Sequence, residues 1–79
     1  MPTVLVQNGF EVRIRTRDHP PPHVHIHKAD EQIKINIGNE VEPPEIVLRK
    51  MNRADARRAV EIVETNQSLL LEKWREIYG

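Results

Sequence analysis

Apolar and polar residues alternate through the first half of the chain and recur at helical spacing through the last third. In residues 10–16, Phe10, Val12 and Ile14 alternate with Glu11, Arg13 and Arg15. That period of two predicts a half-buried strand. Residues 3–7 predict a strand before it. Asn8-Gly9 joins them, the strongest short hairpin signal, because both residues tolerate positive φ. Asp18 to Pro22 predicts a rigid, extended loop, since proline fixes φ and removes a donor. Residues 23–27 predict a third strand, with Val24 and Ile26 on one face and His23, His25 and His27 on the other. Residues 28–31 read as a polar turn. Residues 32–37 read as a fourth strand, with Ile33, Ile35 and Ile37 on its apolar face. After a loop at 38–44, residues 45–49 predict a short edge strand behind Pro43-Pro44.

The pattern then changes period. Asn52 is a good helix N-cap, with Asp55 as the acid three residues on. Ala56, Val60, Val63, Gln67, Leu70, Trp74 and Ile77 step by four and three, which keeps one helix face apolar to the end of the chain. Asn66 interrupts the run and predicts a kink or a pair of helices stacked in line. The fold class is α+β: a single domain over residues 1–79, with an antiparallel sheet of four to five strands and a C-terminal long or kinked helix packed on one face. With Val24 and Ile26 beneath that helix, the histidines are expected on the opposite face, together with Arg13, Arg15, Gln32, Lys34 and Asn36.

Composition narrows the chemistry. A chain of 79 residues buries only about 60% of the surface its unfolded form exposes, so a metal, a partner or a second copy would each help it. Cysteine is absent, which excludes disulfides, thiolate metal sites and a cysteine nucleophile. The 12 basic and 12 acidic residues cancel, so bulk charge gives no argument for nucleic acid. The apolar run at Val4-Leu5-Val6 is too short for a signal peptide or a membrane span. A cytoplasmic location without membrane contact is the default expectation.

All four histidines fall between positions 19 and 27, around three consecutive prolines. Imidazole ligates transition metals and exchanges protons near neutral pH. One reading is a metal site. His23 and His25 share a strand face and can reach one ion, with His19 as a third ligand and Asp18 ligating or orienting a ring. Zinc is the first choice among divalent metals. A second reading is metal-free acid–base chemistry on a phosphodiester, with paired imidazoles and Arg15 stabilising phosphate charge. The plain alternative is a solvated strand face. The alternation superficially resembles the histidine-triad nucleotide hydrolases, but Lys28-Ala29 stand where that family has an apolar pair.

Asp18-His19-Pro20-Pro21-Pro22-His23-Val24-His25, together with Pro2-Thr3-Val4, Asn8-Gly9-Phe10, Asn66, Leu69-Leu70-Leu71-Glu72-Lys73-Trp74 and Gly79, resembles the small prokaryotic family Domain of Unknown Function 4160. The resemblance covers nearly the whole chain. It singles out His19, His23 and His25, whereas His27 departs from the polar or basic residue usual there. It implies a stand-alone module often encoded beside a small partner (Domain of Unknown Function 2442), in an arrangement similar to a toxin–antitoxin pair. It brings no established activity.

Two function classes fit these residues. One is a small hydrolase or ribonuclease centred on His19, His23, His25 and Arg15, with or without a divalent metal held by those histidines and Asp18. The other is a non-catalytic interaction or regulatory module paired with a small cognate protein. Arg49, Lys50, Arg53, Arg57 and Arg58 cluster where the helix begins. They are candidate contacts for RNA phosphates or an acidic partner, or a solvated face with ion pairs from Arg57 and Arg58 to Glu61. Leu69, Leu71 and Tyr78 lie off the main apolar line and either complete the core or seal a homodimer.

Overall fold

Every strand pairs with its sequence neighbours, across tight turns at 8–9 and 29–30 and longer loops at 14–22 and 37–44. The computed structural model describes residues 3–79; the Pro2 of the opening motif lies outside them. Strands β1 (Thr3–Gln7), β2 (Phe10–Arg13), β3 (His23–Lys28), β4 (Glu31–Asn36) and β5 (Glu45–Lys50) form an antiparallel sheet in the order β1-β2-β3-β4-β5. Asn8 and Gly9 both take positive φ, 51° and 82°, as a right-twisted two-residue hairpin demands. Ala29-Asp30 forms the next tight turn, so Lys28 and Glu31 extend the ladder rather than belonging to the loop.

Ladder and burial diverge in β2. The strand pairs only to Arg13, three residues short of the expectation, yet Ile14 is fully buried. Side-chain alternation continues after hydrogen bonding has stopped. Val12, Ile26 and Ile33 lie in register across three strands, with Val24 opposite Ile35 beside them. These side chains form the sheet's half of the core.

Helices α1 (Arg53–Thr65) and α2 (Gln67–Tyr78) form the other half. The Asn52 side chain accepts a hydrogen bond from the Asp55 N–H at 2.8 Å and caps α1. Asn66 separates the two helices, and its side chain donates to the Ile62 carbonyl at 2.8 Å. Ala56, Ala59, Ile62 and Val63 of α1 and Leu70 and Trp74 of α2 are buried against the sheet. Leu71 and Tyr78 pack against the core, whereas Leu69 stays exposed. No helix among the described residues is long and apolar enough to cross a membrane.

Candidate metal centre

β3 is the middle strand, and the face that turns away from the core carries its histidines. His25 lies between Arg13 and Lys34, His27 between Glu11 and Gln32, and His23 opposite Asn36. The connection from β2 to β3 folds Asp18 over this face. The Arg15 N–H donates to Asp18 Oδ2 at 3.2 Å. Tyr78, at the end of α2, fixes the same loop from the other side: its hydroxyl accepts from the Asp18 N–H at 2.7 Å and donates to the Arg15 carbonyl. Trp74 lies one turn earlier, its ring 4.2 Å from that of Tyr78 and 5.3 Å from that of His23.

Asp18 Oδ2 lies 3.3 Å from His23 Nε2 and 3.2 Å from His25 Nε2. The three potential ligand atoms are all within 4.8 Å of one another. His23 Nδ1 is 2.9 Å from the Pro21 carbonyl oxygen. A carbonyl only accepts, so Nδ1 carries the proton. With Nδ1 turned to that carbonyl, it is Nε2 that faces the Asp18 carboxylate, and in the neutral form of the ring it does so with its lone pair. Nε2 is buried and, among the described residues, makes no hydrogen bond. Two electron-rich atoms thus face each other, and only a cation, a proton or a metal ion, makes that contact attractive.

Charge is set for the ionised carboxylate and the neutral ring. Burial pushes the Asp18 carboxyl up, but His23, His25 and the Arg15 N–H outweigh it and hold it below the usual carboxylate range. Burial pushes the His25 ring down, and the Arg15 guanidinium adds to this against the opposing pull of Asp18. Burial likewise lowers His27, helped by Arg13 and Arg15 and opposed by Glu11. Deprotonated ligands are what metal binding requires.

His25 connects the cluster to a pocket of about 340 Å³, lined also by Arg15, Gln32, Lys34 and Leu48. Arg15 Nε is buried, without a hydrogen-bond partner among the described residues. His19 does not join the group: it is exposed. In the extended residue before Pro20, successive side chains point to opposite sides, so the turn that aims Asp18 inward sends His19 outward. His27 sits two residues along β3 from His25, outside the cluster, with a buried Nε2 that has no hydrogen-bond partner among the described residues. Arg49 and Lys50 end β5, and Arg53, Arg57 and Arg58 follow on α1; all five are exposed and none belongs to the Asp18–His23–His25 group, although Lys50 shares the open face with His27 across Gln32. Among the described residues, Arg57 and Arg58 make no ion pair with Glu61.

The periodicity placed Trp74 under the apolar face alone. The structure puts it both in the core and against His23. The Pro21 carbonyl and the Tyr78 hydroxyl were not foreseen as site groups. Tyr78 could have been found from its spacing of four after Trp74, which places both on one helix face.

No curated protein and no solved structure matches the chain. A family model does match, over residues 9–75, a span that takes in Asp18, His23, His25 and Trp74. The protein belongs to the family described as Domain of unknown function (DUF4160).

Proposed function

We propose that Asp18, His23 and His25 hold one divalent metal ion, zinc first, and that the site hydrolyses phosphodiester bonds in RNA. The observation that carries this is the contact between His23 Nε2 and Asp18 Oδ2, at 3.3 Å with the proton on the far nitrogen. Metal bonds of roughly 2.0–2.1 Å at tetrahedral angles separate neighbouring ligand atoms by about 3.3 Å. The separations from Asp18 Oδ2, 3.2 and 3.3 Å, fit that edge. The bond from His23 Nδ1 to the Pro21 carbonyl is the outer contact that orients a ligating imidazole.

Three protein ligands leave a position open. A divalent metal held by Asp18, His23 and His25 would supply Lewis acidity there and would bring the pKa of a bound water near neutrality. Arg15 and Lys34 line the pocket beside His25 and offer positive charge to a phosphate. Metal-free acid–base catalysis fits less well, because the free nitrogen of His23 is buried against Asp18. The family resemblance supports a setting of the toxin–antitoxin kind, with a small cognate protein (Domain of Unknown Function 2442) as the partner.

The test is cleavage of an end-labelled RNA by untagged protein with and without zinc. Cleavage should need the metal, stop on chelation, and vanish in His23→Ala and His25→Ala while far-UV circular dichroism stays unchanged. His19→Ala should keep it. Zinc binding without cleavage would sink the hydrolase and favour a non-catalytic interaction module; cleavage that survives both strand variants would sink the assignment of the site.

A further inference from the structure

The sheet ends at β5, a strand with one side paired to β4 and the other side open. All six of its residues are exposed. Ile46, Val47 and Leu48 form an uninterrupted apolar run at 42%, 49% and 53% exposure. An open edge of that kind is a template for another strand. Charged residues close both ends of the run, Glu45 on one side and Arg49-Lys50 on the other. Their cross-strand neighbours are neutral, Asn36 for Glu45 and Gln32 for Lys50. Among the described residues, none of the three makes an ion pair within the chain.

A bulge makes this strand complementary to itself. Leu48 pairs with Lys34 and Ile46 with Ile35, so Val47 is an extra residue. The extra residue shifts the alternation by one step. Glu45 and Lys50 consequently share the open face with Asn36 and Gln32, and Ile46 and Arg49 share the helix-covered face with Ile35 and Ile33. Two copies of β5 related by a two-fold axis through the sheet run antiparallel. Such an axis keeps each face on its own side, so partners across the join must come from the same face. Glu45 opposite Lys50 of the partner subunit satisfies this, and so does Ile46 opposite Arg49 of the partner subunit. The same register brings Val47 to Leu48 of the partner subunit. Without the bulge, the pairing that joins the opposite charges at the two ends would mismatch the faces.

We propose that two copies of this chain associate edge to edge through β5, with Glu45 facing Lys50 of the partner subunit at both ends of a central apolar cluster. The product is a continuous ten-stranded sheet, twice the five strands of one chain. Both Asp18–His23–His25 clusters then lie on its same face. Five strand spacings separate the two copies of β3, about 24 Å at roughly 4.8 Å each. The inference is independent of whether the clusters bind metal.

Sedimentation velocity across a concentration series, up to hundreds of micromolar, reads the association directly. Wild-type protein should form dimers. Glu45→Lys opposes lysine to lysine and should weaken the dimer at least tenfold; Lys50→Glu opposes two acids and should do the same. The double variant restores opposite charges and should recover most of the wild-type affinity. All these positions are exposed, so circular dichroism should confirm unchanged folding. A wild-type protein that stays monomeric throughout would overturn the proposal. So would a dimer indifferent to either charge reversal, or a double variant no better than the single ones.

Discussion

Replacing Tyr78 with phenylalanine removes one oxygen and leaves the ring against Trp74. That oxygen serves two bonds, accepting from the Asp18 N–H at 2.7 Å and donating to the Arg15 carbonyl. Each is worth about 0.5–1.5 kcal/mol net, so Tyr78→Phe should cost about 1–3 kcal/mol. In a domain of this size each kcal/mol moves the melting temperature by about 4–8 °C, which makes a fall of roughly 10 °C the central expectation. Thermal melts of chelator-treated protein, followed by far-UV circular dichroism, measure it without a metal contribution. The same variant loosens the loop that aims Asp18 at the imidazoles. Loss of an orienting contact of this kind typically lowers metal affinity by about 10–100-fold, so zinc calorimetry should show a decrease of that size. A melting temperature equal to wild type would refute the role of Tyr78 as the clamp. A lowered melting temperature with unchanged zinc affinity would refute the link between the clamp and the site.

Three further outcomes follow from the fold. Gly38 has φ of 75°, and a Cβ there would lie 2.4 Å from the Glu42 carbonyl oxygen; Gly38→Ala should therefore cost well over about 1 kcal/mol in urea denaturation, and a neutral result would contradict the placement of this loop. Ile35 is fully buried at the middle of the core face; Ile35→Ala should lose about 2–5 kcal/mol, and a loss near zero would mean that the face is not packed as described. The hydrogen bond from Lys28, the largest influence, and others from neighbours hold the Asp55 carboxyl below its ordinary value against the effect of burial. A carboxyl depressed in the fold contributes stability above its unfolded pKa and loses it as pH falls through the folded one. The stability gap between wild type and Asp55→Asn should be open at neutral pH and close as the solution is acidified below about 4; a gap independent of pH would contradict the pairing.

Much of the architecture was legible in local pattern. Asn8-Gly9 can hardly be anything but a hairpin turn, and the alternation in Phe10-Glu11-Val12-Arg13 and His23-Val24-His25-Ile26 sets which face each side chain takes. That logic put His23 and His25 together and kept Val24 and Ile26 beneath the helices. It could not reach the loop. Residues 17–22 have no period, so nothing local distinguished Asp18, which turns in, from His19, which turns out. Periodicity also gives a helix face without saying what part of the sheet that face meets, and Trp74 consequently came to rest against His23 as well as the core. The bulge at Val47 was equally silent, because an added residue shows only when both strands of the ladder are in view.

Asp18, His23 and His25 converge on one point, where an ion would complete their contacts. An anomalous difference map at the zinc edge, from crystals of untagged protein grown with zinc, tests this most directly. The expected result is one strong peak roughly 2.0–2.1 Å from Asp18 Oδ2, His23 Nε2 and His25 Nε2. A map empty at that point, or a peak held by other side chains while these three keep their present contacts, would contradict it.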